Sequence, residues 1–372
     1  MKLMVIFGTR PEVIKLAPVI REARNQSSKI ELQICSTGQH REMLNQAMSV
    51  FDIYPDIDLA VMRENQSLPD LTSSLIESLS KIFVVQKPDI LVVQGDTTTA
   101  FASALTAFYH NIPVAHVEAG LRTGNIDSPF PEELNRTLIG RITKWHFAPT
   151  KLAEKNLVSE GIDPSFVYMV GNTVVDSIEM IRKGWRNVNL AEKFPDFSQS
   201  KEHVLITTHR RENFGHGLRE ICLAIQTLTA KHPELDFIFP VHLNPNVRRV
   251  VFDELISIVN LKLIEPVDFE TNLYIQSTSR LIITDSGGIQ EEAPTFKVPT
   301  IVMREFTERS EGVDAGFSKL TGANSNAIIK QAESYLNDMT IKQELANQPN
   351  PYGDGHASER IIRTLLKNKM SK

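Results

Sequence analysis

Two cysteines, Cys35 and Cys222, are the only thiols in 372 residues, far apart and in no Cys-x-x-Cys pair. That excludes a disulfide framework and a thiolate metal site, and it fits a reducing cytosol. No apolar run approaches the ~18 residues that span a bilayer. The start, Met1-Lys2-Leu3-Met4-Val5-Ile6-Phe7, is too short in its apolar stretch for a signal peptide and leads directly into folded structure. A cytoplasmic location with no membrane partner is expected. Positive charge is not in excess either. Forty Lys and Arg against 45 Asp and Glu give a net charge of −5, so no nucleic-acid partner is expected, although a local basic pocket survives that average. Also missing are a Gly-x-Gly-x-x-Gly fingerprint, a Walker loop, His-Glu-x-x-His and a Gly-x-Ser-x-Gly elbow. The ten histidines scatter without ligand spacing. No cofactor and no metal is called for.

What is present is an ordinary globular composition, 41% apolar and 23% charged, long enough for two domains. Continuous apolar runs at 3–7, 32–35, 90–93, 114–117, 166–170, 204–206, 237–239, 261–264, 281–283 and 300–302 read as strands buried on both faces. Helix-period segments separate most of them, among others 12–24, 70–86, 98–110, 132–142, 150–160, 217–231 and 287–296. This alternation predicts α/β structure with doubly wound parallel sheets. About ten strands strain one open sheet, so two Rossmann-like domains are preferred. The boundary is placed at 168/169, giving 1–168 and 169–355. Residues 187–201 read as a loose insertion or linker, and an amphipathic helix at 356–368 closes the chain.

In such sheets ligands bind beyond the carboxyl ends of the strands. After the first strand comes Gly8-Thr9-Arg10-Pro11-Glu12, with Lys15 a turn further, which reads as an anion site at a helix start or as a capped turn with solvated cations. After 90–93 comes Gln94-Gly95-Asp96-Thr97-Thr98-Thr99, where Asp96 is either a functional acid or an N-cap. After 114–117 come Glu118 and Gly120, harder to explain as a cap. Glu132 and Glu133 open a helix, where paired acids ordinarily serve the dipole. In the second half, His209-Arg210-Arg211 and His242 follow strands, and Ser286-Gly287-Gly288 opens a helix with amides placed to cradle phosphate. Glu292 follows within reach of a ribose diol. Arg304 and Arg309 are further cations.

Taken in order, Gly8-Thr9-Arg10-Pro11-Glu12, Gln94-Gly95-Asp96-Thr97-Thr98-Thr99, His116-Val117-Glu118-Ala119-Gly120-Leu121-Arg122-Thr123, Pro131-Glu132-Glu133-Leu134-Asn135-Arg136, Val170-Gly171-Asn172-Thr173, His209-Arg210-Arg211-Glu212-Asn213, the stretch 285–294 and Pro351-Tyr352-Gly353-Asp354-Gly355 resemble the non-hydrolysing UDP-N-acetylglucosamine 2-epimerases over essentially the whole chain. The resemblance implies a GT-B architecture with an interdomain active-site cleft, and a C-terminal helix, 356–372, that packs back on the first domain. It implies a homodimer without nicotinamide or metal that interconverts UDP-N-acetylglucosamine and UDP-N-acetylmannosamine, serving bacterial polysaccharide synthesis. The family route eliminates UDP to give 2-acetamidoglucal and then adds it back. Such chemistry needs cations for the departing diphosphate and carboxylates for the C2 proton.

By motif match, Asp96, Glu118, Glu132 and His209 are implied to be catalytic. Arg10, Lys15, Ser286, Gly287, Gly288, Glu292 and Arg309 are implied to bind substrate. Some relatives hold a second substrate molecule as activator, and Gln39, His40, Glu42, Gln66, Arg210 and His242 match those effector positions. Asn65 stands where activator-dependent relatives carry an arginine. The rival readings are a hydrolysing epimerase that releases UDP and N-acetylmannosamine, a related epimerase acting on a 6-deoxy amino sugar, a GT-B glycosyltransferase, and a sensor that binds a UDP-sugar without chemistry.

Overall fold

A computed structural model describes residues 1–372 apart from 39–40, 62, 64–65, 187, 199–201, 339 and 371–372. The chain divides into two compact units, Met1–Met180 with Gly353–Lys372, and Ile181–Tyr352.

In the first unit seven strands form one parallel sheet: β1 (Lys2–Phe7), β2 (Glu31–Ser36), β3 (Ile57–Asp58), β4 (Ile90–Gln94), β5 (Val114–Val117), β6 (Trp145–Ala148) and β7 (Val167–Met169). Their spatial order is β3-β2-β1-β4-β5-β6-β7. β4 and β5 are buried along their whole length, which is why their sequences show no polar alternation. Helix Leu68–Gln86 presents Leu71, Leu75, Leu79 and Phe83 as one stripe at four-residue spacing. The stripe packs with Ala100, Ala104 and Ala107 of helix Thr98–Tyr109 on Met4, Ile6, Leu91 and Val93 of the sheet. Each such leucine contributes about 1.5–3 kcal/mol by burial.

The second unit repeats the plan with β8 (His203–Thr207), β9 (Asp236–Pro240), β10 (Leu261–Ile264), β11 (Ser279–Thr284), β12 (Thr300–Val302) and β13 (Ser318–Leu320), in the order β10-β9-β8-β11-β12-β13. Val204, Ile206, Phe237, Phe239, Leu281 and Ile283 face helices His216–Lys231 and Ser325–Asn337. Leu205, Ile238 and Ile282 face the opposite layer, with Ile275, Ile289 and Ala293. Both sheets are doubly wound, and each reverses direction beside its first strand, between β1 and β4 and between β8 and β11. Those two points are where such folds take ligands.

The structure departs from the sequence expectations in several places. Strands β3, β6 and β13 were not anticipated. The segment expected as one helix at 287–296 is an α-helix, Gly287–Glu292, followed by a 3-10 turn, Ala293–Phe296. Pro294 has no amide to continue the α-helical ladder. The stretch taken as loose, 187–201, contains helices Leu190–Lys193 and Pro195–Ser198. Phe194 between them is buried, stacked 4.3 Å from Tyr274 and edge-on to Trp185, whose Nε1–H donates to Glu270.

The division between the units falls at 180/181, later than 168/169. The first turns of helix Thr173–Trp185 belong to the first unit: Ser177 Oγ donates to the Ile14 carbonyl, and Asp176 accepts the Ala357 and Ser358 amides. Asp176 thereby caps helix Ala357–Met370, which buries Ile361, Ile362 and Leu365 in the same unit and lies along helix Arg10–Asn25. Cys35 and Cys222, one per unit, are buried, and burial pushes both thiols up to about 12. Among the described residues, no helix is long and apolar enough to cross a membrane.

Candidate active site

The β1 turn of the first unit is built on Glu12. Its carboxylate accepts the amides of Gly8 (3.0 Å) and Thr9 (2.8 Å), the Thr9 hydroxyl (2.8 Å) and, from the β4 turn, the Thr97 hydroxyl (2.8 Å). Burial outweighs these bonds and pushes the Glu12 carboxyl up to about 7. Gly8 is required by space: a Cβ there would lie 2.3 Å from the Thr37 hydroxyl and 2.5 Å from that of Thr99. Arg10 is the first residue of helix Arg10–Asn25 and is half-buried. Lys15, one turn on, is buried and ion-paired with Glu118.

Glu118 ends β5 with φ of +65°, a left-handed backbone that costs a non-glycine residue roughly 1–3 kcal/mol. The turn carries its side chain onto Lys15. Asp96 is not the cap of helix Thr98–Tyr109; Thr97 is, accepting the Ala100 amide. Asp96 is instead ion-paired with Arg136, and its carbonyl accepts from Asn135 Nδ2 at 2.8 Å. The two acids at the start of helix Glu132–Ile142 have separate fates. Glu133 is buried, takes the Thr123 and Gly124 amides and lies 3.3 Å from Arg136. Glu132 keeps a buried Oε2 that has no hydrogen-bond partner among the described residues. Behind them, His116 bonds the Gly95 carbonyl at 2.7 Å, and burial lowers its ring to about 3, so it stands neutral.

In the second unit the organising group is Asp285, fully buried at the end of β11. It accepts the Thr208 hydroxyl (2.7 Å), the His209 and Arg210 amides (3.1 and 3.0 Å) and Asn213 Nδ2 (2.9 Å). His209 Nδ1 lies 3.2 Å from Asp285 Oδ1. Burial alone would raise this carboxyl, but the His209 and Thr208 side chains and the Arg210 amide hold it at about 2. The His209 ring is partly exposed and stacks on His242, with centroids 5.7 Å apart.

Beside it, Gly287 lies under Arg309: a Cβ would come within 2.7 Å of the guanidinium carbon. Arg309 bonds Glu291 at 2.7 Å and pairs with Glu308, which also takes Arg304 at 3.0 Å. Burial opposes ionisation of Glu308, but Arg309 and Arg304 hold it at about 2. Arg210 is lowered by burial and by Arg304, and its Nε is buried with no partner among the described residues. Arg304 and Arg309 thus share Glu308, with Glu291 and Glu212 as their further partners. Of the expected phosphate cradle, the Ser286 amide donates to Thr284 Oγ1 at 2.9 Å. Glu292 accepts from Gln276 Nε2 at 2.7 Å.

Within the first unit, then, Lys15 meets Glu118, and Thr97 bonded to Glu12 sets the Asp96 turn against the Arg10 turn. Within the second, the turns carrying His209, Arg210 and Ser286 are joined at Asp285, with His242 and Arg309 beside them. Of the effector positions, Gln39 and His40 lie outside the described residues, as does the side chain of Glu42. Gln66 closes a turn with Arg63. Sequence reasoning passed over Arg136, Glu12, Glu308 and the role of Asp285. For Glu12 a signal existed, since Thr-x-x-Glu at a helix start is a capping pattern. Asp285 and Glu308 carry no local signature; their partners are distant in sequence. No group of three or more His, Cys, Asp or Glu among the described residues is placed to hold a metal ion.

Comparison with known proteins adds to this geometry. Residues 22–366 match the family model for UDP-N-acetylglucosamine 2-epimerase. The chain is 46% identical over 373 aligned residues to the UDP-N-acetylglucosamine 2-epimerase of Neisseria meningitidis, covering 99% of this chain and 100% of the relative. A crystal structure of the Neisseria meningitidis enzyme bound to UDP-GlcNAc matches with a TM-score of 0.93, covering 99% of this chain and 100% of that one. The glycotransferase of kitacinnamycin shares the fold alone, with a TM-score of 0.66 at 10% identity, covering 99% and 98% of the two chains. The expected GT-B class of two parallel-sheet α/β domains agrees with these neighbours.

Proposed function

The chain belongs to the UDP-N-acetylglucosamine 2-epimerase family, and on that premise we propose that it interconverts UDP-N-acetylglucosamine and UDP-N-acetylmannosamine without net hydrolysis. The C2–H of the sugar is not adjacent to a carbonyl, so it is acidified only when the C1–O bond to UDP breaks. In the proposed route that bond's electron pair leaves with the β-phosphate, a carboxylate takes the C2 proton, and 2-acetamidoglucal forms. UDP then adds back while C2 is protonated from the other face. Asp96, Glu118 and Glu132 are the groups for proton transfer and for facing the cationic ring. His209, Arg10 and Lys15 serve the diphosphate, Ser286, Gly287, Gly288 and Arg309 the nucleotide phosphates, and Glu292 the ribose. The reading includes a homodimer acting in the cytoplasm and feeding polysaccharide synthesis.

The observation that carries this reading is the acid set of the first unit. Glu118 and Asp96 are each set against a buried cation, and Glu132 retains a buried carboxylate oxygen without a partner. A protein that only bound an anionic nucleotide sugar would gain nothing from three carboxylates at its site. The effector positions Arg210 and His242 adjoin His209, so a second nucleotide sugar held there would act on the same group.

The test is incubation of the purified protein with UDP-N-acetylglucosamine in D₂O, followed by NMR. Deuterium at C2 and an equilibrium of two intact nucleotide sugars are expected. Free N-acetylmannosamine with UDP as the end products would establish the hydrolysing alternative. Asp96→Asn, Glu118→Gln and Glu132→Gln should each lower turnover by about 10²–10⁴-fold while sparing UDP affinity. A variant with unchanged turnover removes that residue from the mechanism.

A further inference from the structure

His209 is placed next to a carboxylate that has no freedom to move. Four donors converge on Asp285, the Thr208 hydroxyl, the main-chain amides of His209 and Arg210 and Asn213 Nδ2, and the His209 ring lies against it. An ionised carboxylate only accepts, so the nitrogen facing it must carry a proton. That nitrogen is Nδ1, 3.2 Å from Oδ1. The neutral His209 ring therefore has its lone pair on Nε2, on the side turned away from Asp285. A second proton at Nε2 gives an imidazolium whose charge lies against Asp285.

We propose that Asp285 is a positioning residue for the epimerisation: it locks His209 in the Nδ1–H tautomer, making Nε2 the group that exchanges a proton with the leaving diphosphate. The inference rests on the function proposed above. In the forward step the C1–O bond breaks, its electron pair passes to the β-phosphate oxygen, and that oxygen takes the Nε2 proton of the imidazolium. The C2 proton goes separately to a carboxylate. When UDP adds back, the oxygen returns its proton to Nε2 and the carbon receives one from an acid, so no oxidant or further reactant is involved. The arrangement is that of a carboxylate orienting an imidazole through Nδ1–H, where loss of the carboxylate costs tautomer and charge together.

The other groups around His209 bear on its protonation in a definite direction. His242, from the end of β9, stacks on the ring, and its Nδ1 accepts the Asn244 amide at 3.1 Å, so its own proton is on Nε2 when neutral. Burial and the neighbouring His209 lower His242. Arg210 follows in sequence and opposes a positive ring, while its neighbour Glu308 is itself engaged by Arg304 and Arg309. Asp285 is therefore the anion in direct contact with the ring, and it is held ionised down to about pH 2.

Asp285→Asn isolates the effect. The amide oxygen still accepts the His209 and Arg210 amides, but its NH₂ forces Nδ1 to become an acceptor and moves the ring proton to Nε2. The expected result is a loss of about 10²–10⁴-fold in kcat with KM and UDP affinity within a few-fold. In ¹⁵N-histidine NMR, His209 (assigned with His209→Gln) should titrate from a neutral Nδ1–H form in the wild type and from Nε2–H in the variant. Wild-type kcat in Asp285→Asn would overturn the proposal. So would a loss of activity with the tautomer unmoved, which is what a purely architectural role predicts. If the variant fails to fold, the wild-type spectrum decides alone: an Nε2–H tautomer at neutral pH sinks the proposal. That spectrum is recorded without substrate, so it fails or succeeds independently of whether the D₂O experiment supports epimerisation.

Discussion

Two buried carboxylates, Glu12 and Asp285, do corresponding jobs at the reversal points of the two sheets, yet they are shifted in opposite directions. Each ties the turn after a first strand to the turn after its neighbour. Asp285 has a histidine beside it and stays near 2, whereas Glu12 is surrounded by neutral donors and is lifted by burial to about 7. The consequence for Glu12 follows from linkage. Below about 4.5 the folded and unfolded chains both hold the proton; between 4.5 and 7 only the folded chain does; above 7 the fold carries a buried charge. Its contribution therefore falls as pH rises through that window, at ~1.4 kcal/mol per unit and by roughly 3 kcal/mol in all. Glu12→Gln should remove this component from urea-unfolding stability measured between pH 4.5 and 7, so that stability rises more steeply with pH from about 4.5 to 6.5 than in the parent, where Glu12 works against His116 and His146. Parallel profiles for the two proteins would place the Glu12 proton elsewhere. At this scale the sequence exposed residues that stand in motifs, such as Asp96 and Glu118, but not their counterions. Arg136 declared itself only once helix Glu132–Ile142 turned it toward Asp96.

At the scale of elements, legibility followed burial. Strands such as β4, apolar throughout, announce themselves, because burial on both faces removes every polar residue. β6, Trp-His-Phe-Ala, hid behind the buried neutral His146, and β13, Ser-Lys-Leu, has one buried residue. β3 is two residues long, too short for any period. Helix Phe269–Thr278 buries Phe269, Leu273, Tyr274, Ile275 and Gln276, so burial spreads around it and no clean stripe survives in the sequence. The opposite case is a surface that stays apolar. Helices Leu68–Gln86 and Thr98–Tyr109 pack together and end with Val84, Val85, Phe108 and Tyr109 more than half exposed. The proposed homodimer is expected to use this face. Val85→Glu combined with Phe108→Glu should convert a dimer into a monomer by light scattering at micromolar concentration. A monomeric parent, or a double variant that stays dimeric, would rule the face out.

For the whole molecule, acid should act on the two units in sequence. In the first unit, burial lowers His116 to about 3 and His146 to about 4, while the unfolded chain protonates both near 6.5. Stability there is lost as pH drops below about 6.5, and the opposing carboxyls that burial raises, Glu12 and Asp176, offset only part of it. In the second unit, Asp285 and Glu308 sit near 2 against ordinary values of 3.8 and 4.5. Their contribution is intact above about 4.5 and is lost as pH falls through 2. Each unit has one tryptophan, Trp145 in the first and Trp185 in the second. Fluorescence of Trp185→Phe and Trp145→Phe variants should therefore show the Trp145 transition at the higher pH; coincident or reversed transitions would contradict this ordering. The same partition has a practical side in the two native thiols, one in each unit, both shielded from solvent and both with ionisation suppressed. Maleimide dyes will bypass them, so fluorophores attached to cysteines newly introduced on the surface can follow motion during turnover against a silent background.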